Sequence, residues 1–536
     1  LPATIQTHLQ GRRDDMSTTV DVERMSVREL VGQHLVCGFP TPQIDDRFRE
    51  AIRTHKIANV ILFAHNIESK EQLAALTAEI QALVKEACGT TALIGIDQEG
   101  GMITRLSPDC TNVPGAMAIA ASGTPQNAYS AGFLTATELR AMGVTVDFAP
   151  SVDVNSNPNN PVIGVRSYGD RAETVITYAS KMIEGLQQGG VMATAKHFPG
   201  HGDTHLDSHV ALPTVAGDRA HLEEHLAPFR AAIADGVQAV MSSHILFPSL
   251  EKEAVPATMS RAIITGLLKE ELGFKGLVFS DCLEMDAIAR HFGTVEGCVA
   301  AIAAGVDLAC ISHHVELGVE AVEAIEAAIE AGRIDLGELR ASTAKILDAK
   351  AMLSSFDRPP LSVVDSSEHR RENLRLHQET ITVVNDVPFT LSGQPLFISP
   401  RLFRTTNTAK GSEEMAFSRI MGERFGSPYI ICSDNPDGSE IDQIIDASSD
   451  ATSVVIATYN GHLNRGQIDL VNRFAGRAVL ALALRNPYDL GLVDPRIRTV
   501  ACYSFSPAVA DVLERLLKGE FTAEGVLPIG LGGLDA

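Results

Sequence analysis

The sequence predicts an α/β protein, a (β/α)8 TIM-like barrel followed by a C-terminal three-layer α/β/α sandwich domain. Two observations carry this. Short apolar, β-prone runs alternate with Ala/Glu/Leu-rich helical stretches through the first part of the chain. The alternation then restarts after a polar, proline-bearing break, Ser354-Ser355-Phe356-Asp357-Arg358-Pro359-Pro360.

In the first alternation the spacing predicts strands near 35–39, 59–63, 92–96, 145–149, 191–196, 238–243, 277–281 and 306–311. Helical periodicity lies between them, for example over Glu71–Ala87, Ala172–Gln188, Ala220–Asp235 and Val315–Ala331. Repeated βα units of this number point to a closed parallel barrel, with an open doubly wound sheet as the alternative. The second alternation predicts strands at 395–400, 428–433, 453–458, 478–484 and 499–504, which fit an open three-layer domain. The expected organisation is an extension over 1–24, a barrel over 25–355, a linker over 356–374 and the sandwich over 375–536.

Composition narrows the function. Of 536 residues 45% are hydrophobic, and 44 Lys and Arg face 67 Asp and Glu, for a net charge of −23. A surface this negative repels a phosphate backbone, so nucleic acid is not an expected partner; small neutral molecules meet no such barrier. No apolar run is long enough to span a bilayer, so no membrane partner is expected either. The eight cysteines are dispersed, form no CxxC pair and sit mostly in apolar contexts, and Asn-x-Ser/Thr is absent. These features favour a cytoplasmic protein, with a processed secreted one as the alternative. The chain opens on Leu, so Leu1–Asp15 reads as vector-derived, with Met16 as the natural start. Oligomeric state is not legible.

The densest chemistry lies at Lys196-His-Phe-Pro-Gly-His-Gly-Asp-Thr-His-Leu-Asp-Ser-His209. His197, His201, His205 and His209 recur every four residues, which on a helix would form a metal-binding face. Pro199, Gly200, Gly202 and Asp203-Thr204 argue against a helix, so the period is accidental and the segment is a working loop. In this reading Pro199–Gly202 turn the chain away from the strand end.

Polar residues also recur where barrel strands end, the rim at which such barrels gather their active sites. Asp97, Asp153, Lys196 with His197, His244 and Asp281 all fall there. Retaining cleavage of a glycosidic bond needs an ionised carboxylate to attack the sugar carbon and a separate proton donor for the leaving oxygen. Asp281, ending an apolar strand, suits the nucleophile. His209 suits the donor, because Asp207 can hold its imidazole in orientation and charge. Asp97, Arg105, Arg166, Lys196 and His197 are the candidate contacts to sugar hydroxyls.

These residues carry a resemblance. Ile96-Asp97-Gln98-Glu99-Gly100-Gly101, Gly164-Val165-Arg166-Ser167-Tyr168-Gly169, Lys196–Gly202 with Asp207-Ser208-His209, and Ser280-Asp281-Cys282-Leu283-Glu284-Met285 resemble segments of glycoside hydrolase family 3, specifically its β-N-acetylglucosaminidases. The similarity spans roughly residues 25 to 355. It implies a two-step retaining mechanism through a glycosyl-aspartate on Asp281, with His209 and Asp207 as the acid/base dyad. It also implies that Asp97, Arg105, Arg166, Lys196 and His197 grip the sugar in the subsite where hydrolysis occurs. The Gly-His-Gly and Asp-Ser-His loop separates this branch from the β-glucosidases, whose acid/base is a glutamate elsewhere. Two departures stand out: Met102 where the family usually has Arg, and Cys282 where it often has a second Asp. Residues from about 375 onward, including Ala457-Thr458-Tyr459-Asn460 and Leu484-Arg485-Asn486-Pro487-Tyr488, resemble the C-terminal domain of some members and are read as a packing or specificity domain.

No cofactor and no metal are expected. His221-Leu-Glu-Glu-His225 matches H-x-x-E-H but fits an exposed amphipathic helix, and Gly530-Leu-Gly-Gly is too short and too late for a dinucleotide fingerprint. The expected activity is exo-acting retaining β-N-acetylglucosaminidase, acting on a small oligosaccharide with a terminal N-acetylglucosamine. The absence of Trp favours short substrates over polymer. The alternatives are a phosphorylase on the same scaffold, a metal-dependent hydrolase using His201, Asp203, His205 and Asp207, and a non-catalytic sugar-binding protein.

Overall fold

The computed structural model describes residues 21–204, 212–401 and 415–532. Eight parallel strands close in chain order: β1 (Leu35–Cys37), β2 (Asn59–Leu62), β3 (Leu93–Ile96), β4 (Val146–Asp147), β5 (Met192–Phe198), β6 (Ala239–Ser242), β7 (Leu277–Cys282) and β8 (Leu308–Ile311). Ladder bonds from β8 to β1 complete the ring, so the doubly wound alternative falls. The strands are buried and mostly apolar because side chains and helices cover both their faces. β4 is shorter than the expected 145–149. Its ladder continues irregularly beyond that, with Phe148 N donating to Ile96 O, Thr194 N to Ala149 O and Val152 N to Lys196 O, each at 2.8 Å, around Pro150, which has no N–H to give.

Inside the ring the Phe148 and Phe279 rings meet edge to face, 5.3 Å between centroids, among Val36, Ile61, Leu93, Met192 and Leu308. Gly95 on β3 makes room for them: a Cβ there would stand 2.7 Å from the Phe148 ring. Some of the helices outside are sharply capped. Helix Lys70–Cys88 starts on the Ser69 side chain, which accepts from Gln72 N, and ends at Gly89 with φ 71°. Helix Leu336–Ser354 buries Ile346 and Leu353 against the interior residues, each such side chain contributing about 1.5–3 kcal/mol.

The 356–374 stretch, expected as a linker, contains a single turn at Leu361–Val363 and the start of helix Ser367–Thr380, capped by Ser366. That helix docks on the barrel, where Asn127 Nδ2 donates to Glu379 Oε2 at 2.8 Å and His369 Nδ1 meets Glu138 at 2.7 Å.

The second domain is a six-stranded sheet of order β11-β10-β12-β13-β14-β9, formed by β9 (Thr382–Asn385), β10 (Pro395–Pro400), β11 (Tyr429–Cys432), β12 (Ser453–Thr458), β13 (Val479–Ala483) and β14 (Arg498–Ala501). An apolar cluster lies on each face under helices such as Phe417–Phe425 and Arg465–Arg473, giving three layers. The antiparallel edge strand β9 was not expected, and it is only half-buried beyond Thr382. A separate apolar cluster joins the domains, packing Met102, Met117 and Val165 against Tyr488, Leu490 and Tyr503. No described helix is long and apolar enough to cross a membrane.

Candidate active site

At the C-terminal rim of the barrel lies a cavity of about 250 Å³, lined by Asp97, Arg105, Arg166, Lys196, His197 and Asp281 among others. The structure thus brings five expected sugar contacts and the expected nucleophile around one space. This volume lies below the roughly 300–1,000 Å³ of pockets for drug-sized ligands, which suits one sugar ring.

Three elements place the charged wall. β3 delivers Asp97, and the chain then folds back through Gly100 and Gly101, with φ of 83° and 56°. A Cβ at Gly101 would stand 2.8 Å from the Gly115 backbone, so the turn needs glycine there. Gln98 anchors the returning segment: its Oε1 accepts from Arg105 N at 3.1 Å and from the Thr104 hydroxyl at 3.0 Å. The β4 side delivers Arg166 on a tight turn, Gly164–Arg166. β5 delivers Lys196 and His197, where pairing with β6 slips from Lys196–Met241 to Phe198–Ser242.

The side chains form one alternating chain of charge. Arg105 Nη2 lies 3.7 Å from Asp97 Oδ2, and Lys196 Nζ joins Asp97 Oδ1 at 2.9 Å to Glu99 Oε1 at 2.7 Å. Glu99 receives the Arg166 guanidinium on both oxygens, at 2.9 and 2.7 Å. Arg166 Nη2 lies 3.4 Å from His197 Nε2, and His197 Nδ1 lies 2.7 Å from Asp153 Oδ2. Burial works against charge on Glu99, but Arg166 and Lys196 outweigh it and hold the carboxyl well below the usual range. Burial likewise opposes charge on Lys196, and Glu99 and Asp97 raise its pKa above the ordinary value.

Sequence reasoning did not assign three residues of this wall. Glu99 belongs to the Ile96–Gly101 motif, two residues after Asp97, a spacing that marks it as a neighbour. Asp153 is one of the rim residues; it is fully buried and accepts from His201 N at 2.7 Å as well as from His197. His201 corrects the expectation that Pro199–Gly202 lead the chain away. It lines the cavity, and burial beside His197 lowers its pKa to about 4. The loop folds back instead onto the β4 side: Asn160 Nδ2 donates to His201 O at 2.9 Å, and a Cβ at Gly202 would strike Val154 O at 1.6 Å.

Asp281 ends β7, and its Oδ1 accepts from the Cys282 N–H at 2.7 Å. His244, another rim residue, braces that strand end through Nε2 and Cys282 O at 2.9 Å rather than lining the cavity. Burial pushes the Cys282 thiol up to about 12. Across the mouth stand Phe63 and His313, ring centroids 4.9 Å apart, with Glu284 accepting from His313 N at 2.6 Å.

Asp207 and His209, the expected acid/base dyad, lie outside the described residues, as does His205. The helix carrying His221 and His225 is less exposed than expected. His221 Nε2 meets Asp203 Oδ2 at 2.9 Å, whereas His225 is buried beneath Gly200. Among the described residues, no three His, Cys, Asp or Glu side chains gather as a metal site.

The sequence pattern of the glycosyl hydrolase family 3 N-terminal domain matches residues 24–349. The chain belongs to glycosyl hydrolase family 3. Among the relatives of this family 3 chain is a β-hexosaminidase A of Pseudoalteromonas piscicida, 35% identical over 377 residues, which cover 65% of the chain and 63% of the relative. The chain therefore spans less than two thirds of that protein. A β-hexosaminidase of Thiobacillus denitrificans is 37% identical over 291 residues, 53% of the chain and 78% of the relative. A solved family 3 β-N-acetylglucosaminidase from a Paenibacillus species superposes with a TM-score of 0.87 at 37% identity, covering 95% of this chain and 99% of that one. In this family 3 barrel, the matched region holds every residue of the charged wall and Asp281.

Proposed function

We propose that the chain is an exo-acting, retaining β-N-acetylglucosaminidase that removes terminal β-linked N-acetylglucosamine from small oligosaccharides or glycoconjugates. The observation that carries this is Asp281, held at the end of β7 in a one-ring cavity opposite the Arg105–Asp97–Lys196–Glu99–Arg166 wall. The near full-length likeness to a family 3 β-N-acetylglucosaminidase supports the substrate class. The cavity's cations are matched by carboxylates, which favours a neutral sugar over an anionic one.

In this reading Asp281 attacks the anomeric carbon while His209, oriented by Asp207, protonates the leaving oxygen. The glycosyl-aspartate then forms, and His209, now neutral, takes a proton from the incoming water, which releases the sugar with its configuration retained. Asp97, Arg105, Arg166, Lys196 and His197 hold the hydroxyls. The eight free cysteines, mostly buried, support action in the reducing cytoplasm.

Turnover of a chromogenic N-acetylglucosaminide, measured for wild type, Asp281→Ala and His209→Ala, tests the reading. Loss of turnover with the fold intact is expected in both variants, and a wild-type rate in either overturns the assignment. Product analysis in phosphate buffer decides the acceptor. Free N-acetylglucosamine is expected, and a sugar 1-phosphate would make the enzyme a phosphorylase.

A further inference from the structure

Arg166 owes its position to a turn that the barrel does not complete by itself. Residues Gly164–Arg166 make one tight turn, closed by Arg166 N donating to Ile163 O at 2.9 Å and Ser167 N to Gly164 O at 3.0 Å. The turn's entry is held by Asn160 Oδ1, which accepts from Val162 N at 2.9 Å and Ile163 N at 2.8 Å. Gly164 N donates to Asn155 Oδ1 at 3.0 Å. That leaves the amide of Val165, buried and directed out of the barrel, and an unpaired buried N–H is costly.

The second domain supplies the acceptor. Asn486 Oδ1 takes the Val165 N–H at 2.9 Å. It comes so close that a Cβ on Gly164, whose φ is 46°, would lie 2.3 Å from it, so glycine is required on the barrel side of the contact. Asn486 is itself fixed: its Nδ2 donates to Asn460 Oδ1 at 3.0 Å, and Pro487 confines it to extended backbone with ψ 126°. Two residues on, the Tyr488 hydroxyl accepts from Asn155 Nδ2 at 2.8 Å, so one turn of the second domain grips both the Val165 amide and one of the two asparagines that support the Arg166 turn. Val165 is packed among Tyr488, Tyr503 and Met117 at the same place.

We infer that Asn486 is a positioning residue for the sugar site: from the second domain it fixes the turn that aims Arg166 at Glu99 and the cavity. The second domain is then part of the specificity apparatus of the barrel rather than a mere packing partner. This rests on the reading that Arg166 contacts the sugar. Asn486 touches no substrate, and it acts only through the Val165 amide.

The test is kinetic and structural together. Asn486→Ala strands a buried N–H, which loosens the turn that carries Arg166. Since Arg166 grips the sugar in ground and transition states alike, the loss enters KM, by roughly ten-fold, with kcat little changed. Asn486→Asp keeps the acceptor oxygen for Val165 but loses the Nδ2 contact to Asn460, so it restores KM in part and lies between Asn486→Ala and wild type. In an Arg166→Gln background Asn486→Ala adds nothing, because both act through one guanidinium. Asn127→Ala, which cuts the contact to Glu379 elsewhere in the domain interface, lowers Tm but leaves KM alone. Hydrogen exchange over residues 163–167, read without sugar, is faster in Asn486→Ala. An unchanged KM, additive losses with Arg166→Gln, or unchanged exchange overturns the inference. A wild type that cleaves no N-acetylglucosaminide overturns the hydrolase reading instead, and the exchange rate then decides the clamp alone.

Discussion

Glu99 accepts both arms of the Arg166 guanidinium, at 2.9 and 2.7 Å, while its Oε1 also takes Lys196 Nζ at 2.7 Å. One carboxylate thus holds two buried cations, Lys196 from β5 and Arg166 from the Gly164–Arg166 turn. Glu99→Gln keeps the shape but removes the charge, leaving Arg166 and Lys196 to repel each other. Breaking a buried pair from one side costs about 3–5 kcal/mol, so a clear fall in Tm and near loss of turnover are expected. The lowered pKa of Glu99 sets the pH dependence. Its contribution is fully present above the ordinary carboxyl value of 4.5 and is lost as pH falls below it. Denaturation monitored from pH 7 to pH 3 should show a shallower acid loss in Glu99→Gln than in wild type; parallel curves would remove Glu99 from that role.

Arg105 presents the opposite case. It reaches Asp97 only at 3.7 Å, and its buried Nε has no hydrogen-bond partner among the described residues. Its donors are therefore the most available for an incoming hydroxyl, while little of the fold depends on them. Arg105→Gln is expected to raise KM with Tm almost unmoved. A charge-assisted hydrogen bond is worth about 1.5–3 kcal/mol, or roughly ten- to a hundred-fold in affinity. A drop in Tm as large as that of Glu99→Gln, with KM unchanged, would show that Arg105 is structural.

Asp153 fixes the His197 tautomer. With Nδ1–H donating to Asp153 Oδ2 at 2.7 Å, Nε2 is left as an acceptor beside Arg166 Nη2, 3.4 Å away. Asp153→Asn offers an N–H in place of an oxygen and permits the other tautomer, whose Nε2–H would face the guanidinium. KM should rise roughly five- to a hundred-fold, the equivalent of about 1–3 kcal/mol for an unsatisfied buried group. Calorimetric titration with N-acetylglucosamine reads this directly, and unchanged affinity would mean that the tautomer does not matter.

The fold was legible in the sequence where burial is two-sided. Runs such as Leu93–Ile96 and Leu308–Ile311 are apolar at every position because ring interior and helix layer both exclude water. β9 was not legible, because Thr382–Asn385 is a half-buried edge whose partner among the described residues is β14, more than a hundred residues later. The site divides in the same way. Asp281 and Asp97 announce themselves as charges at strand ends. Glu99, Asp153 and His201 do not, because their roles depend on which cation the barrel closure sets against each. Nor does any local pattern reveal that Asn486 would bond the Val165 amide, 321 positions away in sequence.

Far from the cavity, Lys350 on the helix Leu336–Ser354 is buried and donates to Gln33 Oε1 at 2.7 Å and Ala58 O at 3.3 Å, all neutral partners. Burial lowers its pKa from 10.5 to about 7. Between those values the unfolded chain binds a proton that the folded chain does not, so stability rises with pH across the window and the gain is lost towards pH 7. Lys350→Met keeps the volume and deletes the titration. Denaturant unfolding of both proteins at pH 7, 8, 9 and 10 isolates the effect, because every other group cancels in the difference. Relative to wild type, Lys350→Met should be at its most favourable near pH 7 and should lose ground steadily as pH rises. A difference that stays constant across the series would mean that Lys350 titrates as an ordinary lysine and that its burial costs the protein nothing.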